Sequence, residues 1–462
     1  MNAGTDMAAD LGRLLPEIIL ACAAVAGLLL GSFLPRRRQW PVRVLAGAAC
    51  VAGLVWTVMG GTGTVFAGTY AVDTATGATR AVVLTSVLLV LGMTRIGGHA
   101  RETEFVVLLL LAALGAVVLA GANDLLLLVA AYLLASVPLY ALTGFAKDGP
   151  GTEASLKFYL LGALLGTTML FGVMLVSGVG RGSDYPTLHH TLPDAPAAAV
   201  AVGAVAVLAG LVFKAGAVPG HFWVPDVTEG TSPAVGAIVT TIPKIGAVVA
   251  IHRFVAVAPL NWPLLIAVLA AVTMTLGNLA AFFQRDVRRL LAYSTISQVG
   301  YLLMALAAAR ASLALPGLLL YLAAYAVTNL GAFAVVCALP EARTLDDYAG
   351  LRGHRPWLAV CLAVCLLGLV GTPPTGVFAG KLTVFTAAFD AGLGWLVVVA
   401  AVNTVASVFY YLRWLAPALR TRDEFPRAGR AASITAYVAT PVSVAVGVLA
   451  GPLLAVFLAG AG

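Results

Sequence analysis

Apolar runs, most of them long enough to cross a bilayer as a helix, follow one another from end to end of this chain. They divide into 14 spans, roughly 14–34, 41–59, 81–97, 104–122, 123–145, 157–178, 196–224, 232–254, 262–282, 287–309, 314–338, 358–392, 393–415 and 431–460. No stretch alternates with the period of a strand, and lipid admits only helices and closed barrels. The pattern therefore predicts an all-α polytopic membrane protein of about 14 transmembrane helices. Only "GAND" separates the fourth and fifth spans, where Asn123 or Asp124 is placed to cap the fifth. No polar segment is long enough to fold alone, so residues 1–462 read as a single transmembrane domain.

Two spans are too long and carry breakers. The seventh contains "KAGAVPG" and the twelfth "GTPPTG", residues 371–376. They lie five spans apart and so run in opposite directions. Paired broken helices of opposite direction mark an inverted repeat with a transport path at its interface. The expected subdivision is 1–100 for the first three helices, 101–257 and 258–417 for two repeats, and 418–462 for the last helix. Lys214 precedes its break and Lys381 follows its own, so the repeat is suggested rather than shown at this level.

Composition agrees with the pattern. The 462 residues are 61% hydrophobic and 10% charged, against about 25% charged in soluble domains. The net charge of +7 could suggest nucleic acid, but its distribution follows membrane orientation instead. Eighteen of the 27 basic residues, from Arg36 to Arg430 and including Arg95, fall after odd-numbered spans, and five fall on the other side. By the positive-inside rule both termini face outward. The first run lacks a basic leader region and a small-residue cleavage site, which reads as a retained span. The five cysteines lie in apolar runs without metal or disulfide spacing, as buried thiols do.

The chain has 5 lysines against 22 arginines, yet Lys214, Lys244 and Lys381 fall within spans, and the pattern places no arginine at comparable depth. Arginine does not release its proton in a protein, whereas a buried lysine does. A charge at bilayer centre costs roughly 2.5–3.5 kcal/mol on insertion scales, so three of them call for a function. Lys157, four residues after Glu153, is explained by a local i,i+4 pair. His221, in the first break, is placed either to relay protons or to bond a freed carbonyl. The carboxylates read as structural. Glu17 follows Pro16 at a helix start, Asp226 and Glu229 fall in a loop, and none lies deep in a span.

These residues carry a resemblance. "FKAGAVPGHFWVPDVTEGTSP", "EASLKFYLLGAL", "RRLLAYSTISQVGY", "YAVTNLGAF", "DDYAGLRG", "GTPPTGVFAGK" and "YYLR" resemble, in order over residues 100–415, the subunit N family of the bacterial proton-pumping NADH–quinone oxidoreductase, respiratory complex I. The resemblance implies a 14-helix protein in the bacterial plasma membrane that couples quinone reduction to proton translocation. It places Lys214, Lys244, Lys381 and Lys157 on the family's seventh-, eighth-, twelfth- and sixth-span lysines. It implies no NADH, flavin, quinone or cluster bound by this subunit, and other membrane and peripheral subunits as partners. One departure stands out. Ser136 and Tyr140 match the fifth-span motif, but the family's glutamate position is Leu133, and Gln298 stands where histidine is common. The chain is therefore expected to be a divergent or paralogous subunit. The alternatives are a subunit of a multi-subunit cation/proton antiporter or membrane-bound hydrogenase, or a non-pumping scaffold.

Overall fold

The structure, a computed structural model, describes residues 3–94, 101–422 and 425–460; Arg95 of the charge tally lies outside them. Among the described residues, 13 helices are long and apolar enough to cross a membrane. The remaining expected span, the twelfth, is divided into Pro356–Val370 and Gly376–Asp390. The expected all-α architecture of 14 spans is thus present, with several corrections. The sixth span runs from Gly149 to Gly180, longer than expected. The last is two helices, Arg430–Val448 and Ala450–Ala459. The fifth, expected to be continuous, is Leu125–Leu134 followed by Val137–Thr143. A short antiparallel hairpin, Gly63–Val65 with Tyr70–Val72, stands before the third span.

Contacts divide the described chain into two compact units. One holds residues 3–91, 101–215 and 242–261; the other holds 92–94, 216–241, 262–422 and 425–460. In the first unit Leu15–Phe33 packs against Trp40–Met59 and Glu102–Gly121, and Gly149–Gly180 against Ala197–Ala215. In the second, Trp262–Ala281 packs on Val287–Ala307, and Ala314–Ala338 on Gly376–Asp390 and Arg430–Val448. The eighth, tenth and eleventh spans are 94% buried over their apolar windows, as helices that are hydrophobic all round should be. The thiols divide: Cys50, Cys361 and Cys365 are buried, Cys337 is partly buried and Cys22 is exposed.

Matching caps start the fifth and tenth spans. Asp124 accepts from the backbone N–H of Leu126 at 2.7 Å and Leu127 at 3.0 Å. Asp286 accepts from those of Arg288 at 2.8 Å and Arg289 at 3.1 Å. Each side chain thereby satisfies helix-end donors that otherwise have no partner.

The structure corrects the reading of charge inside spans. Arg43 and Arg253 also lie within helices, near their ends, and Arg80 lies in the second turn of Thr74–Met93, each held by a carboxylate. Glu17 is more than a helix-start residue. It is buried, takes a two-pronged hydrogen bond from Arg80 at 2.7 and 2.8 Å, and accepts from the Tyr70 hydroxyl at 2.7 Å. Arg43 reaches Glu102 at 2.7 Å and the Leu91 carbonyl at 2.8 Å. Guanidinium suits these sites because its fork matches a carboxylate while keeping its charge.

Candidate functional site

The seventh span is helical over Ala197–Ala215, breaks at Gly216, and resumes over Trp223–Gly230. The twelfth breaks at Gly371. Both breaks open with a glycine in the left-handed region, Gly216 at φ 78° and Gly371 at φ 95°, which other residues adopt at a cost. A cis proline, Pro219 or Pro374, follows three residues later in each. The second half of the seventh span extends beyond the expected end at 224. Asp226 and Glu229 therefore stand on a half-helix, not in a loop, and both accept from Arg289, at 3.0 and 2.6 Å.

Lys214 is 1% exposed. Its Nζ donates to the Ser136 hydroxyl and lies 5.0 Å from the centre of the Tyr132 ring. Ser136 lies where the fifth span is interrupted, with Pro138 in the first turn of the next helical segment, and its hydroxyl also donates to the Tyr132 carbonyl at 2.6 Å. The interruption is pressed closely by Gly115, where an added Cβ would come within 2.3 Å of the Ala135 nitrogen. Among the described residues Lys214 has no ion pair. Leu133 is 48% exposed and lines an outward-facing groove together with Tyr132, Ser136, Tyr140 and Tyr159.

Lys244 is fully buried on the continuous helix Pro233–Val255, one residue after Pro243. Gly246 brings this helix against the fourth span: an added Cβ would sit 2.4 Å from the Ala116 oxygen. In the same helix, a turn earlier, Thr240 and Thr241 accept from Asn329 at 3.1 and 2.9 Å, and the Thr240 carbonyl accepts from Tyr325 at 2.8 Å.

Lys381 is 4% exposed. Its Nζ donates to the Val370 carbonyl at 2.9 Å and approaches Thr404 Oγ1 at 3.4 Å, over the Tyr301 ring at 4.0 Å from its centre. This resolves the apparent mismatch between the breaks. Lys381 follows its break in sequence but reaches back to the last residue of the helix before it. Lys214 lies in the last turn of its own half-helix. Lys381 by contact and Lys214 by backbone position therefore belong to the C-terminal end of a first half-helix; the Lys381 ammonium meets its end carbonyl, where the dipole favours a cation, while the Lys214 ammonium is held by Ser136.

The other two expected residues are placed differently. Lys157 is half-exposed on the sixth span and pairs with Glu153 at 2.8 Å, as its spacing implied. His221 is buried beside the backbone of Pro219, and its Nδ1 has no hydrogen-bond partner among the described residues. The aromatic faces under the lysines, Tyr132 and Tyr301, escaped the sequence reading. A tyrosine in an apolar helix carries no local sign that a lysine from another span will land on it.

Fold and site together define an antiporter-like membrane protein, with buried lysines at two helix breaks. Residues 122–407 match the family model of the NADH:quinone oxidoreductase/Mrp antiporter transmembrane domain, and the chain belongs to this family. It is 57% identical over 431 residues to NADH-quinone oxidoreductase subunit N 1 of Streptomyces griseus, covering 91% of each chain. It is 50% identical over 450 residues to subunit N of a Mycobacterium species, covering 95% of this chain and 96% of that one. A chain of respiratory complex I from Thermus thermophilus superposes with TM-score 0.85 at 33% identity, over 96% of this chain and all of that one. A chain of the Mrp complex from Dietzia sp. shares the fold, with TM-score 0.85 at 23% identity, over 97% and 96% of the two chains.

Proposed function

We propose that this chain is a proton-translocating membrane subunit of an NADH–quinone oxidoreductase, coupling quinone reduction to proton movement through Lys214, Lys244 and Lys381. The observation that carries the reading is the placing of Lys214 and Lys381, both buried at helix breaks and without ion pairs among the described residues. A buried ammonium beside freed backbone carbonyls is a group that water reaches and that gives up its proton, as arginine does not. His221, in the same break, acts as a relay, and Lys157 on the sixth span belongs to the path. The subunit takes no part in redox chemistry; NADH and quinone are bound by its partner subunits. The repeats 101–257 and 258–417 carry one broken helix each, and both termini face outward across the plasma membrane.

The test uses the whole complex in inverted membrane vesicles, comparing proton uptake with NADH oxidation. Lys214→Ala and Lys214→Arg should both lower the protons moved per NADH while the complex stays assembled. Full translocation in the Arg variant contradicts titration of this lysine. Full translocation in both favours a scaffold, the reading that Leu133 at the family's glutamate position supports.

A further inference from the structure

Two lysines without carboxylate partners among the described residues each lie over a tyrosine ring, Lys214 over Tyr132 and Lys381 over Tyr301, at 5.0 and 4.0 Å. Both distances are within the range in which a ring face attracts a cation, about 6 Å. All four side chains are buried, which lowers the local dielectric and strengthens the attraction relative to an exposed pair. In each case a hydroxyl completes the cradle, Ser136 for Lys214 and Thr404 for Lys381. The tyrosines are not equivalent positions of a repeat. Counted from the matching caps Asp124 and Asp286, Tyr132 stands 8 residues into its span and Tyr301 stands 15. The lysines are not equivalent either, since one precedes its break and the other follows it. The same pairing is thus built twice from different positions, which duplication of a common ancestor segment does not explain.

We infer that Tyr132 and Tyr301 are positioning residues whose ring faces hold the ammonium groups of Lys214 and Lys381. A ring face attracts a cation without a formal charge of its own. It leaves no anion buried when the lysine is neutral, whereas an orphaned carboxylate in that place is costly. The inference rests on the lysine reading above for its role in transport, but the pairing itself is tested without it.

Tyr132 is the position to test. Its hydroxyl has no hydrogen-bond partner among the described residues, so Tyr132→Phe should be nearly silent. The Tyr301 hydroxyl bonds Thr404 and the Ala400 carbonyl, and its removal would confuse the result. In the intact complex, position 132 is filled with Phe, with mono-, di- and trifluorinated Phe by codon suppression, and with Leu. Ring fluorination drains the face of negative potential with little change of shape.

Two readouts are taken, protons per NADH in vesicles and the thermal midpoint of the purified complex, each with Lys214 and with Lys214→Met. With Lys214, the midpoint should fall stepwise with fluorination, and translocation should follow, ending on the order of tenfold down for Leu. With Lys214→Met the fluorinated series should be flat. A midpoint insensitive to fluorination with Lys214 present, or an equal trend in both backgrounds, overturns the pairing. A stepwise midpoint alongside normal translocation in Lys214→Met upholds the pairing and overturns the lysine's transport role instead.

Discussion

Substituting Lys381 by Arg and by Met separates the two tasks that the structure places on one ammonium group. The first is to occupy the break: Nζ donates to the Val370 carbonyl at 2.9 Å and sits 4.0 Å over the Tyr301 ring. A hydrogen bond from a charged donor contributes about 1.5–3 kcal/mol, and a desolvated ring–cation contact about 2 kcal/mol. Against these stands the desolvation of the charge, several kcal/mol. Met keeps the apolar stem and removes both sides of that balance, so its effect on stability should be small, about 1 kcal/mol in either direction. Arg keeps the charge and the donors. The second task is to release a proton. Arginine holds its proton far above neutral pH, so any step through a neutral side chain at this position is slowed by several orders of magnitude. Both variants should therefore assemble and melt near the wild type, and both should fail to translocate. Proton uptake by inverted vesicles, followed with a pH-sensitive dye and normalised to NADH oxidation, reads the second task; the melting midpoint of the purified complex reads the first. A Lys381→Arg complex that moves protons at the wild-type ratio refutes the requirement for a titrating group here.

The remaining predictions concern what holds the site. Gly246→Ala places a Cβ within 2.4 Å of the Ala116 oxygen; the helix carrying Lys244 must move off by most of 1 Å, costing about 1–3 kcal/mol, so the midpoint and the proton ratio should fall together. Glu17→Gln leaves Arg80 buried without its charge partner and should cost about 3–5 kcal/mol, while the double change of Glu17 and Arg80 to Met should recover most of the loss in the same melting assay. Asp73, just before the third span, is pushed up by burial but pushed down further by the hydrogen bond and charge of Arg253 and by Thr76, so its carboxyl lies below its usual 3.8. A lowered folded value means that the pair stabilises above the unfolded pKa and fades only as pH falls through the folded one. The midpoint deficit of Asp73→Asn should then be constant from about pH 5 to about pH 8 and shrink only in stronger acid; a deficit that changes across neutrality would refute the assignment.

Much of the molecule was legible along the chain, and the physical reason is the bilayer. Lipid forces every spanning backbone to bond within its own helix, so apolar run length alone announced the spans, and glycine with proline inside a run announced the two breaks. The scarcity of lysine singled out Lys214, Lys244 and Lys381 without any structure. Two finer features were local as well: Asp124 as a cap and Glu153 with Lys157 as a pair depend only on neighbours in sequence. What no single segment holds was decided by packing. Arg80 meets Glu17 across 63 positions of sequence. Ser136 and Lys214, which form one contact, lie 78 positions apart in the sequence. The two breaks look opposed in sequence, with one lysine ahead and one behind, and become alike only when Lys381 folds back to Val370. Hydrophobic periodicity records which residues avoid water, but in a helix buried on every side it does not record which neighbour each one meets; that choice is made by the close approach of helices at glycines such as Gly115 and Gly246, where shape, not hydrophobicity, selects the partner.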